Sequence, residues 1–153
     1  MDAYRLLPGD PRLAEALRLI RDSFAFMDGR VDPPSSMHRL TLEEMERQAA
    51  SAEIWALGDP VTACVVLTPK PDCLYLGKLA VNGRLRRAGL ARRLVDLALA
   101  RARVLGLPQV ELQVRVELIE NQAAFARMGF TETGRTAHAG YDRPTSITMR
   151  RPV

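Results

Sequence analysis

The segment Leu79-Ala80-Val81-Asn82-Gly83-Arg84-Leu85-Arg86-Arg87-Ala88-Gly89-Leu90-Ala91-Arg92-Arg93-Leu94 holds the residues whose types and spacing most resemble a chemical device. An apolar, strand-like run passes through a short basic loop directly into a helical pattern. Such a loop aims successive backbone N–H groups and the positive end of the helix at one point, which suits a diphosphate. Gly89 and Ala91 are small enough for backbone to approach an anion closely. Arg86, Arg87 and Arg92 add charge-assisted hydrogen bonds. The segment is neither a GxGxxG fingerprint nor a Walker A loop, which disfavours dinucleotide and nucleotide-hydrolysing readings. Gly89 has a second, purely structural reading: relief of crowding between helix and strand.

The elements that must position this loop follow from periodicity. Residues 3–8 read as a short strand, and Asp10-Pro11 opens a helix over 11–27 with Leu13, Leu17, Ile20, Phe24 and Met27 on one stripe. Gly29 to Ser36, with Pro33-Pro34, reads as an irregular loop. Thr41-Leu42-Glu43-Glu44 is a capping box that starts a second helix running to about Ala50. Three strands follow at 54–57, 61–68 and 73–81, and the short turns between them predict antiparallel neighbours. A long helix covers about 89–105, closed by Gly106 and Pro108. Val110, Leu112, Val114 and Val116 alternate with Glu111, Gln113, Arg115 and Glu117, predicting a strand with one polar face. A short helix near 119–128 and strands near 130–137 and 145–151 complete the chain. The order β-α-α-β-β-β-α-β-α-β-β describes an α/β fold on a mixed, mostly antiparallel sheet.

Composition bounds the function. At 153 residues, 47% of them hydrophobic, the chain is expected to form a single domain over 1–153 with a sizeable core. No apolar run approaches a membrane span, and Met1 to Arg5 lack the basic-then-apolar pattern of a secretory leader, so a cytoplasmic protein is expected. Cys64 and Cys73 lack metal-ligand spacing and read as small apolar residues, so no metal site is expected. Of 22 basic residues only Lys70 and Lys78 are lysines. Residues 84–103 hold seven arginines against one acid, Asp96, an imbalance that implies an anionic partner.

Arg86-Arg87-Ala88-Gly89-Leu90-Ala91 resembles the (Arg/Gln)-x-x-Gly-x-(Gly/Ala) acetyl-CoA motif of the GNAT superfamily of N-acetyltransferases. Leu79-Ala80-Val81 is similar to the end of that family's fourth strand. Glu120-Asn121-Gln122-Ala123-Ala124-Phe125-Ala126-Arg127-Met128-Gly129-Phe130 resembles its second cofactor segment, and the element order matches across essentially the whole chain. The resemblance implies a GNAT fold and an acetyl-CoA-dependent N-acetyltransferase acting directly on a small-molecule or peptide amine. It implies that Leu79 and Val81 offer main-chain groups to the pantetheine arm, as an added strand does. Arg86, Arg87, Gly89, Ala91 and Arg92 would bind the diphosphate, and Asn121 the pantetheine. Asn121 reads equally well as a helix N-cap.

Acetyl transfer to an amine sets further requirements. With a pKa of about 10.4, only roughly one amine in a thousand is unprotonated at neutral pH, so a base or water chain must take its proton. A backbone donor must steady the oxyanion, and the resemblance implies one near Leu79. The chain departs from the family here. Phe125 stands where a tyrosine acid is frequent, and Tyr75-Leu76-Gly77-Lys78 lacks the glutamate that often holds water or takes the proton. His38, Tyr75 and Glu111 are the substitute candidates, with Gln113 and Tyr141 behind them.

Two other classes of function stay open. The Phe125 departure motivates a GNAT-fold module that binds acyl-CoA without transfer, as a sensor or interaction domain. The arginine cluster raises nucleic-acid binding, which the absence of interleaved aromatics and of a helix-turn-helix disfavours. A C-terminal edge strand would be available for pairing in a homodimer. The resemblance implies that the acceptor would be selected by 27–39 and 136–145, a mixed-charge set that includes Asp28, Asp32, His38, His138, Asp142 and Arg143.

Overall fold

The computed structural model describes residues 2–85 and 88–153. Arg86 and Arg87 of the basic loop lie outside the described residues. The elements in chain order are β1 (Tyr4–Leu6), α1 (Arg12–Ala25), a 3-10 turn (Ser36–Arg39), α2 (Leu42–Ser51), β2 (Glu53–Leu57), β3 (Ala63–Pro69) and β4 (Leu74–Val81). A second 3-10 turn (Gly83–Leu85) leads to α3 (Leu90–Val104), β5 (Gln109–Arg115), α4 (Ile119–Arg127), β6 (Thr131–Thr136) and β7 (Ser146–Pro152).

The helix starts are chemically explicit. The Asp10 carboxylate accepts from the Arg12 N–H at 2.9 Å, and Thr41 Oγ1 accepts from the Glu44 N–H at 3.2 Å. The 3-10 turn at Ser36–Arg39, where sequence suggested irregular chain up to Ser36, is started by Ser35 Oγ accepting from the Met37 N–H at 3.2 Å. His38 sits on that turn.

All strands join one sheet of order β1-β2-β3-β4-β5-β7-β6, antiparallel except between β4 and β5. The C-terminal strand β7 is therefore internal, paired with β5 and β6, and the sheet edges are β1 and β6. That corrects the expectation of a C-terminal edge strand. The β6–β7 hairpin folds back so that the last strand fills the place beside β5.

Alternation along each strand divides the core between the two sheet faces. Val65 and Leu67 pack with Leu94, Val95 and Ala98 of α3, whereas Cys64 and Val66 pack with Leu13, Ile20 and Met45 of α1 and α2. Glu53, only 6% exposed, bridges layers by accepting from Arg101 of α3 at 2.8 Å and from Trp55 Nε1 at 2.8 Å.

Two irregularities in β4 build the site. Val66 pairs with Gly77 and Cys64 with Ala80, so Lys78 and Leu79 together face Val65 in a β-bulge. Lys78 takes φ +52°, the one non-glycine residue with positive φ among those described. The extra residue reverses the alternation: Leu74 and Leu76 join the α3-side core, while Ala80 joins the α1–α2 side. Pairing of β4 with β5 is confined to Leu74 with Val110 and Tyr75 with Glu111. Beyond that point the two parallel strands diverge.

Candidate functional site

The divergence of β4 from β5 opens a cleft of about 850 Å³, within the usual range for small-molecule sites. Its walls are β4 from Tyr75 to Val81, β5 from Leu112 to Arg115, and α4. The α1–α2 connection covers one end. That connection is held by exposed polar contacts: Asp32 N–H donates to Glu117 at 3.0 Å, and Arg30 pairs with Glu120. Tyr141 and Arg143 of the β6–β7 connection reach Asp32 at 2.5 and 3.2 Å.

Of the residues that the sequence suggested for an acyl carrier, Leu79, Val81, Ala91 and Asn121 line the cleft. Asn121 lies inside α4, whose N-cap is Leu118, so the N-cap reading gives way. Its side-chain amide has no hydrogen-bond partner among the described residues and is free to meet a ligand. Gly89 is the residue before α3, with φ +78° and open space within 4 Å of where a Cβ would stand. An anion can thus approach the first N–H groups of α3 without meeting a side chain. Arg92 is exposed on the first turn of α3. An open strand edge, an unpartnered amide and a bare helix start fit an extended chain of amides ending in a diphosphate.

The candidates for proton transfer separate. Tyr75 lines the cleft, and burial, reinforced by Glu111, pushes its hydroxyl above the ordinary tyrosine value. It is therefore a phenol that keeps its proton. His38 lies outside the cleft lining and binds Asp28 Oδ1 at 2.6 Å. Glu111, expected on a polar strand face, is 7% exposed and also lies outside the cleft lining. Arg150 and Lys70 enclose its carboxylate, at 2.6 and 3.4 Å. Tyr141 is committed to Asp32. Both cysteines are free and buried; burial pushes the Cys64 thiol up to about 12 and also raises Cys73. Among the described residues no group of His, Cys, Asp and Glu could hold a metal ion, and no helix is long and apolar enough to cross a membrane.

His138, which no spacing rule distinguished, lines the cleft. Its backbone N–H donates to Thr145 Oγ1 at 2.9 Å, its Nδ1 meets the same hydroxyl, and that hydroxyl lies 3.4 Å from the Thr136 carbonyl. The Thr145 hydroxyl can donate either to the Thr136 carbonyl, with Nδ1–H donating to it, or to Nδ1 itself. The first arrangement places the ring proton on Nδ1 and makes Nε2 an acceptor. Lys78, Arg115 and Gln113 also line the cleft. Nothing in local sequence signals the bulge that brings Lys78 there.

A sheet parted between two parallel strands, with a helix start beside the parting, defines the site of this α/β protein. A model of the acetyltransferase (GNAT) family matches residues 13–130, and the chain belongs to that family. No curated protein matches the sequence. Solved structures resemble it over nearly its whole length. The PaiA N-acetyltransferase from Thermoplasma acidophilum, in complex with coenzyme A, has 12% identity and TM-score 0.82, covering 99% of this chain and 98% of its own. The ribosomal-protein-S18-alanine N-acetyltransferase from Escherichia coli has 20% identity and TM-score 0.70, covering 99% and 92%. A GNAT family acetyltransferase from Elizabethkingia anophelis with acetyl-CoA bound has 14% identity and TM-score 0.68, covering 99% and 97%. At these identities the likeness establishes the fold.

Proposed function

We propose that the chain is a single-domain, cytoplasmic N-acetyltransferase that moves an acetyl group from acetyl-CoA directly to a primary amine. The observation that carries this is the parting of β4 from β5 beside the bare start of α3. Leu79 and Val81 offer main-chain groups to the pantetheine arm, and Asn121 its side-chain amide. Gly89, Ala91 and Arg92, with Arg86 and Arg87 of the same loop, receive the diphosphate. Acetyl-CoA supplies a carbonyl activated by its thiol leaving group. A backbone N–H near Leu79 steadies negative charge on that carbonyl's oxygen. In the tautomer protonated on Nδ1, the Nε2 of His138 takes the proton from the amine. Tyr75 keeps its proton and is available to the departing thiolate.

Thermal denaturation with 1 mM CoA, acetyl-CoA, NAD or ATP tests the first part. A ligand that binds only the folded state raises the melting temperature by mass action. CoA and acetyl-CoA are expected to do so, and NAD and ATP, which lack the pantetheine arm, to do much less. Equal stabilisation by NAD would overturn the cofactor assignment. Thiol release from acetyl-CoA with a panel of amines tests transfer. Stabilisation by CoA with no thiol release from any amine would favour the other reading, an acyl-CoA-binding module, to which Phe125 in the cleft lining points.

A further inference from the structure

The charges that line the cleft do not balance. Arg30, Arg39, Lys78 and Arg115 face it, against one carboxylate, Glu120, which Arg30 already engages. One guanidinium nitrogen of Arg115 is spent on the Pro33 carbonyl, and its buried Nε has no partner among the described residues. Lys78 and Arg39 make no hydrogen bond or ion pair among the described residues. Both also line a side recess of about 320 Å³ with Ser36, Met37, Leu40 and Glu44, and recess and cleft share Ser36, Met37, Arg39 and Lys78. Lys78 precedes Leu79, the proposed oxyanion donor, so the recess adjoins that part of the cleft.

We propose that the acceptor is a primary amine bearing a carboxylate within a few bonds of its nitrogen, and that Lys78 with Arg39 receives that carboxylate. This rests on the acetyl-transfer reading above. A half-buried ammonium that faces Glu44 only across the recess, with no hydrogen bond or ion pair to it, costs free energy in the unliganded protein. Burial pulls Lys78 below the ordinary lysine value, opposed by Glu44 across the recess, so an arriving carboxylate restores what burial removes. Arg39 adds a planar donor pair that matches a carboxylate. An acceptor with several positive charges, such as a polyamine, would meet like charge at the same point and is disfavoured. The positive φ of Lys78 fits this role: the bulge turns one long cationic side chain into the cleft at the residue before the proposed oxyanion donor.

The test compares matched acids and amides: β-alanine against β-alaninamide, and glycylglycine against glycylglycinamide, with spermidine as the cationic control. Thiol release from acetyl-CoA gives kcat/KM for each in the wild type, Lys78→Met and Lys78→Arg. The acid-to-amide ratio within each protein is then compared, which cancels the intrinsic nucleophilicity of the amines. The expected ratio for wild type is at least tenfold above that of Lys78→Met, the difference residing in KM, with Lys78→Arg restoring most of it. An acid-to-amide ratio that Lys78→Met leaves unchanged, or a preference for spermidine over the acids, would overturn the proposal. So would a kcat loss in Lys78→Arg equal to that in Lys78→Met, which would mark proton transfer instead. Failure of the underlying reading looks different: no melting-temperature rise with CoA. If CoA binds but no amine reacts, the acids must still raise the melting temperature of the CoA-saturated wild type and not of Lys78→Met; otherwise the proposal fails.

Discussion

Glu111 on β5 and Arg150 on β7 oppose each other on one rung of the sheet, joined at 2.6 and 2.8 Å through a single carboxylate oxygen. Lys70 approaches the other oxygen at 3.4 Å and stacks its ammonium 4.4 Å from the Tyr75 ring centroid. Every strong partner of Glu111 is thus a fixed cation, which suits a structural charge and not a proton carrier. Glu111→Gln should cost about 3 kcal/mol, since it removes the buried partner that Arg150 and Lys70 share and leaves the Arg150 guanidinium only the exposed Asp72 carboxylate at 3.2 Å. In a chain of this length that is roughly 6–12 °C of melting temperature. The turnover of the folded fraction should change less than threefold. A hundredfold fall in kcat at unchanged melting temperature would restore Glu111 as a base.

Acid stability should depend on Glu53. The Arg101 guanidinium, helped by Trp55, holds its carboxyl below the usual carboxylate range in spite of burial. A depressed folded value means stability that is present above the unfolded value of about 4.3 and is lost as pH falls through the folded one. Unfolding by urea at pH 6 and at successively lower pH should show this loss in the wild type. Glu53→Gln should be less stable at pH 6 and show a flatter decline below pH 4. An identical slope in both proteins would mean that other carboxylates govern the acid transition.

The fold was legible because its signals are local. Thr41 and Glu44 cap α2, the Gly58-Asp59-Pro60 turn joins β2 to β3, and Leu94, Val95 and Ala98 recur at helical spacing, all within a few residues of one another. The loop proposed for the acyl carrier is likewise contiguous in sequence. The acceptor side was not, because its chemistry is assembled from distant residues. The partners of His138 are Thr145 and Thr136 across the β6–β7 hairpin, and Lys78 is turned by a bulge that depends on the register with Val65. Glu111 misled because strict alternation marks a face as polar without saying whether that face is solvated or paired. Arg150, 39 residues later, decides that.

Gly89 should separate backbone conformation from charge. Its φ of +78° means any side chain strains the backbone by about 1 kcal/mol, though nothing stands within 4 Å of the new Cβ. Gly89→Ala and Gly89→Glu should therefore lose similar, small stability. Only the glutamate should abolish CoA binding, by repelling the diphosphate at the start of α3. Calorimetric titration with CoA measures both. Unchanged affinity in folded Gly89→Glu would sink the proposed loop.

His138→Asn keeps a side-chain donor for Thr145 but has no Nε2. It should fold with a melting temperature within about 2 °C of wild type, the change expected when one partly exposed contact is altered by under 1 kcal/mol. Its kcat should fall by roughly 10²–10³, the contribution typical of a general base. The affinity for CoA should not change. A kcat within threefold of wild type would remove His138 from the mechanism.

Phe125 lines the cleft and packs edge-to-face on Phe130, with ring centroids 6.0 Å apart and planes at 73°. Its ring is therefore held by the core, and a hydroxyl added by Phe125→Tyr would project from a fixed position. A thiol with a pKa near 8.5 is already a good leaving group at neutral pH, so transfer has little need of a strong acid. Tyr75, kept protonated by burial in the same cleft, already offers a hydroxyl. Phe125→Tyr should consequently change the chemical step by less than about tenfold, or roughly 1.4 kcal/mol of barrier. Single-turnover rates with the best amine of the panel measure this without interference from product release. Combining the change with Tyr75→Phe sharpens the outcome. If the two hydroxyls serve the same thiolate, the tyrosine at 125 should rescue the loss caused at 75, and non-additivity in the double variant is the expected sign. A hundredfold gain from Phe125→Tyr alone would show instead that the natural chain lacks an acid it needs. That result would shift the reading from transferase to acyl-CoA-binding module.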